Sequence, residues 1–116
     1  MRKPLFIVLS WFPYSGMAVF PFIVIKHPDL KLNETLVRHE RIHFAQQKEL
    51  LFIGFFLLYL LHYIWNILRY RNHVQAYREI VFEREAYQND NQPNYLQKRK
   101  WLAWLQYLKK SPNHSN

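Results

Sequence analysis

His39, Glu40 and His43 form the pattern H-E-x-x-H inside RHERIHFAQQKE, residues 38–49. On a helix, residues four apart share one face, so both imidazoles can reach a single ion while Glu40 sits beside them. Two neutral imidazoles suit Zn²⁺, a third protein ligand completes a catalytic set, and an open position holds a water whose pKa falls towards ~7. Glu40 is then the general base that takes the water's proton and passes it to the leaving group. The chain has no cysteine, so imidazoles, carboxylates or water must hold any metal.

The third ligand must come from elsewhere in the chain. Glu49 stands where some zinc peptidases place theirs, but that arrangement needs a glycine turn, and Gln46 occupies its place. On a continuous helix Glu49 points well away from His43. FEREAY, residues 82–87, offers Glu83 and Glu85, which lie about 200° apart on a helix, so at most one can face the ion. The other is expected to be a solvated charge paired with Arg78 or Arg84. Tyr77, Tyr87 and His73 are the residues available to donate to a developing oxyanion. His62, inside an apolar run, is expected to be a hydrogen-bonded core histidine, and His27 and His114 to be ordinary loop and tail residues.

HERIH followed by a helix carrying E-x-x-A resembles the gluzincin class of zinc metallopeptidases, especially the membrane-linked ones related to prenyl-protein endopeptidases and penicillin-sensor peptidase domains. HERIHFAQQKE together with YREIVFEREAY is also similar to a group of small uncharacterised bacterial proteins. The resemblance spans roughly residues 17–90 and implies His39, His43 and Glu83 as ligands and Glu40 as base; Glu85, the other carboxylate of FEREAY, is the reserve ligand. Where those families have an aspartate four residues after the ligand, supporting a histidine, this chain has Tyr87, whose hydroxyl is the candidate for that supporting role.

These residues need elements to position them. At 116 residues the chain fits one domain with one core, and its half-hydrophobic, aromatic-rich composition argues for folding rather than disorder. The expected class is α+β, mainly α, in a single zincin-like domain over 1–110 with a disordered tail at 111–116. Residues 5–26 read as a strand pair with a turn around Pro13 and Gly16, and Pro21 places its run at a sheet edge or bulge. That edge could align an extended peptide by strand addition. An H-E-x-x-H helix over 34–49, capped by Asn33 or Asp29, an apolar helix over 50–69, a Glu-bearing helix over 74–90 and a basic amphipathic helix over 95–110 complete the set.

The metal hypothesis constrains the apolar segment. If it crossed a bilayer as one straight helix, His43 and Glu83 would emerge about 30 Å apart on opposite sides. The chain must therefore bend soon after His43, at 48–51 or Gly54, leaving 50–68 as a buried central helix or an element lying on a membrane. The formal charge of +8 favours anionic surfaces, and Trp101, Trp104 and Tyr107 among lysines and arginines suit either a lipid interface or a docking helix whose tryptophans pack on the core. No recognisable nucleic-acid-binding module accompanies that charge, which disfavours nucleic acid. The expected function is zinc-dependent hydrolysis of a peptide or protein substrate by a membrane-associated protein. The competing readings are a small membrane protein in which the motif is incidental, and a zinc-binding protein without catalysis.

Overall fold

Asn33 fixes where the site-bearing helix begins. In the computed structural model, which describes residues 4–109, its side chain accepts from the Leu36 N–H at 3.0 Å, and helix α1 follows over Glu34–Glu49 as expected. Glu34 occupies the first turn, where the positive end of the helix favours an acidic side chain. The tail expected at 111–116 lies outside the described residues.

The N-terminal segment makes three strands instead of two: β1 (Leu5–Val8), β2 (Gly16–Val19) and β3 (Phe22–Ile25). The second apolar run folds back on itself at Phe20 and Pro21. Pro21 has no N–H for a ladder and therefore sits in the turn. The sheet order is β1-β3-β2, with β3 central, parallel to β1 and antiparallel to β2. Ala18, Ile23 and Ile25 face inward onto Phe44 of α1. By strand alternation the opposite face carries Leu5, Ile7, Met17, Val19 and Phe22, all of them exposed.

Helix α1 ends in a sharp reversal. Leu51 and Phe52 both take positive φ, 56° and 65°, a region that side-chain-bearing residues rarely enter, and α2 starts immediately afterwards (Ile53–Tyr70). The bend thus falls at 50–52, within a residue of where the metal hypothesis required it, and Gly54 lies inside the first turn of α2. Of the two alternatives for this segment, the buried central helix is not met: only Phe55 and Asn66 of α2 are buried. By length and composition alone α2 could cross a membrane, a property it shares with core helices of soluble proteins.

The Glu-bearing segment is two helices, α3 (His73–Arg78) and α4 (Val81–Asn89), where one over 74–90 was expected. Ile80 between them is extended, which buries its side chain and frees the Val81 N–H to donate to His62 Nδ1 at 3.1 Å. His62 is therefore hydrogen-bonded as expected, but half-buried and not in the core. Asn66 Nδ2 donates to Ala76 O at 3.1 Å and ties α3 to α2. Phe55, Ile80, Val81, Phe82 and Trp104 form the second core cluster.

The single basic helix expected over 95–110 is likewise broken, into α5 (Tyr95–Lys98) and a 3-10 helix (Ala103–Leu108), with Leu102 at φ 56° between them. The physical reason is Glu49. Arg99 donates to both of its oxygens (2.7 and 2.9 Å) and to Glu85 at 2.6 Å, while the Leu102 N–H donates to Glu49 Oε2 at 2.6 Å. A continuous helix would spend that N–H on a carbonyl four residues back. Of the two readings of the segment's tryptophans, Trp104 follows the docking one, buried with its ring 5.1 Å from that of Phe82, while Trp101 is exposed. Removing Arg99 would leave two buried carboxylates without their cation. Arg99→Ala should therefore destabilise the fold by about 3–5 kcal/mol, and urea denaturation should show Arg69→Ala, at an exposed site, within about 0.5 kcal/mol of the parent.

Candidate metal centre

Helices α1 and α4 bring the motif and the glutamate together. His39 Nε2 lies 2.9 Å and His43 Nε2 3.1 Å from the same Glu83 oxygen, and all three side chains are buried. Tetrahedral ligands around zinc, with bonds of about 2.0–2.2 Å, sit roughly 3.4 Å apart. Each imidazole nitrogen is already close to that spacing from the Glu83 oxygen, and the three donors all lie within 4.8 Å of one another.

The far side of each ligand is fixed. His39 Nδ1 lies 3.0 Å from Asp90 Oδ2, and His43 Nδ1 lies 2.7 Å from Gln46 Oε1. The Gln46 amide nitrogen donates to Phe82 O and Glu85 Oε1, so its oxygen must be the atom facing His43. Both Nδ1 atoms must then carry hydrogens to donate, so in the neutral imidazoles both Nε2 lone pairs are aimed at a carboxylate oxygen. Three electron pairs converging on one point repel unless a cation lies among them. The trio His39, His43 and Glu83 could hold a metal ion.

The electrostatics of the isolated chain express the same demand. Burial pulls the His43 imidazole down, but the facing Glu83 carboxylate, aided by Glu40 and Gln46, outweighs it and drives the group up to about 9. Glu83, which burial alone would raise, is held well below the usual carboxylate range by His43 and His39. A cation is wanted at this point, whether proton or metal. Burial pushes the Glu40 carboxyl up, opposed by the two histidines and reinforced by Glu83. Tyr59 donates to the second Glu83 oxygen at 2.5 Å, and burial followed by the Glu83 charge keeps its hydroxyl protonated far above the usual range.

Several expectations are corrected here. Glu85 is no reserve ligand and no solvated charge: it is fully buried and receives hydrogen bonds from Gln46, Tyr95 and Arg99. The carboxylate supporting His39 is Asp90, not the Tyr87 hydroxyl. Tyr87 instead packs its ring against His39, centroids 4.4 Å apart, and pairs its hydroxyl with that of Tyr77 at 3.0 Å. Its position four residues after Glu83 puts it on the correct face, but Asp90, seven residues on, shares that face and is the acid. Glu49 is engaged by Arg99, consistent with its exclusion as a ligand.

Asp90, Gln46, Tyr59 and Gly16 were missed by sequence reasoning. The i+7 spacing from Glu83 and the i+3 spacing from His43 were the available signals for the first two. Gly16 is missed for lack of any local signal: a Cβ there would stand 3.2 Å from Glu40 Oε2. A cleft of about 630 Å³ opens beside Glu40, lined among others by Gly16, His73, Tyr77, Arg78 and Tyr87. His73 accepts from or donates to Tyr63 at 2.8 Å at its rim. No family model, curated protein or solved structure matches the chain.

If Asp90 orients His39, Asp90→Ala should weaken metal affinity by about 10–100-fold, whereas Tyr87→Phe should leave it unchanged. Competition titration against a chromophoric chelator reads both, and equal losses would refute the assignment.

Proposed function

We propose that the chain is a zinc-dependent metallopeptidase of gluzincin type. The observation that carries this reading is the convergence of two imidazole Nε2 atoms and a carboxylate oxygen, with Glu40 beside them in the lining of a cleft. Two imidazoles and one carboxylate are the donor set of catalytic zinc sites, and both histidines have the supporting acceptors that such ligands require. A bound zinc ion supplies a Lewis acid and brings the pKa of a water near 7.

The chain's own residues do the rest. Glu40 is the base for that water and returns the proton to the departing amine. In the Tyr77–Tyr87 pair one hydroxyl donates to the other, and the accepting hydroxyl keeps its own hydrogen for an oxyanion in the cleft. The guanidinium of Arg78 stacks 3.8 Å over the Tyr87 ring and adds positive charge there. The substrate reads as a peptide because β2 is an edge strand at the cleft. The Ser15–Lys26 hydrogen bond sets the ladder so that Gly16 and Ala18 turn their main-chain groups away from β3. Gln47 takes Ala18 O at 2.8 Å and the Phe20 N–H at 2.9 Å, so strand addition is confined to the Gly16 end, beside Glu40.

We also read the protein as membrane-associated, resting on a bilayer rather than crossing it. Lipid around all of α2 would have to accept Arg78, Glu79 and Arg84 of the helices packed along it.

Purified protein should contain stoichiometric zinc that His39→Ala, His43→Ala and Glu83→Ala each lose and Glu85→Gln retains; a wild type without zinc sinks the proposal. Glu40→Gln should keep the metal and lower hydrolysis of a quenched-fluorescent peptide library by about 10²–10⁴-fold. Unchanged zinc with no hydrolysis in the wild type would favour a metal-binding protein without catalysis. Gly16→Val, which crowds Glu40 and the pairing edge, should reduce turnover without releasing zinc.

A further inference from the structure

Helix α2 is inside-out for a protein surrounded by water. Its hydrogen-bonding side chains, Tyr59, His62 and Asn66, form the inner stripe, where they bind Glu83, Val81 and Ala76. Its outer stripe carries Ile53, Leu57, Leu60, Leu61, Ile64 and Leu68, all exposed, over about 22 Å of helix axis. A surface helix in water shows the opposite arrangement. The sheet repeats the pattern, since the outer face formed by Leu5, Ile7, Met17, Val19 and Phe22 is apolar throughout.

The two faces are joined. Phe20, in the β2–β3 turn, packs against Phe52 with centroids 5.7 Å apart, and Leu51 and Ile53 beside it are each 81% exposed. Gln47 pins the turn to α1 from both sides. An apolar surface this large on one chain marks an interaction site.

We propose that this continuous surface, from the outer sheet face across the β2–β3 turn to the outer stripe of α2, docks on an anionic phospholipid bilayer. The assignment rests on the membrane-associated reading above and on no part of the hydrolytic one. Charge selects the bilayer over a second copy of the chain, because two copies at +8 repel while an anionic surface attracts. The surface charge is more one-sided than the total. Glu40, Glu49, Glu83 and Glu85 are withdrawn into the interior, and Asp90 and Glu79 are largely covered. Asp29 and Glu34 are the exposed acids. Lys48 lies 4.4 Å over the Phe20 ring at the seam of the two faces. A cleft of about 800 Å³ beside that seam is lined by Lys48, Arg41 and the exposed Trp101, the combination of cation and indole suited to the headgroup layer.

The test is sedimentation of the full chain with phosphatidylcholine vesicles, with and without phosphatidylglycerol. Binding should require phosphatidylglycerol, weaken as salt is raised, and shift tryptophan emission to the blue. Leu57→Asn with Leu61→Asn on α2, and Ile7→Thr with Met17→Thr on the sheet, replace exposed residues and should leave the thermal melt intact. Each pair should lower vesicle binding by roughly tenfold or more. A wild type that ignores both vesicle types overturns the membrane reading and the docking surface together. Wild-type binding that neither pair weakens overturns the surface alone, and a dimer in vesicle-free buffer that the same pairs dissociate overturns it in favour of a second copy. Zinc content measured on the same samples reports on the hydrolytic reading separately.

Discussion

Three lone pairs pointed at one spot is an arrangement that a protein interior tolerates only with a cation present, and most of this chain serves to enforce it. His39, His43 and Glu83 cannot turn away because each is held from behind, by Asp90, Gln46 and Tyr59 in that order. Those holders are themselves held. Gln46 is oriented by Phe82 O and Glu85, Glu85 by Tyr95 and Arg99, and Arg99 by Glu49. In a low-dielectric interior such a chain of hydrogen bonds is worth having only if every member is satisfied. The broken C-terminal segment follows from satisfying it, since the Leu102 N–H is spent on Glu49.

What was legible in the sequence is what depends on near neighbours. The start of α1 was readable because a cap residue and an acidic first turn announce it, and the need for a bend was readable because a metal trio cannot be shared across a long straight helix. The break at Leu102 was not readable, because its cause, Glu49, lies far back along the chain. The same holds for Glu85, whose sequence surroundings of arginines suggested a surface charge while its true partner, Arg99, comes from another element. Tyr87 shows a subtler failure. Helical spacing puts it on the ligand face, but the acid that spacing equally allows stands in the polar NDNQPN stretch, residues 89–94, where the helix ends.

Helix α2 shows why composition misleads about orientation. Counting apolar residues gave a segment either buried or in lipid, and its few polar residues looked like interruptions. They are instead its attachment points, each meeting a backbone or carboxylate group of the domain. A helix whose polar side faces the protein has little left to offer water.

The dependence of Glu85 and Glu49 on Arg99 also makes the C-terminal segment a remote part of the trio's scaffold. Arg99 reaches His43 through Glu85 and Gln46, so a residue 56 positions further along the chain helps to set the direction of an imidazole on α1. A chain ending before Arg99 would keep all three members of the trio and lose the counter-ion on which the orientation of one of them depends.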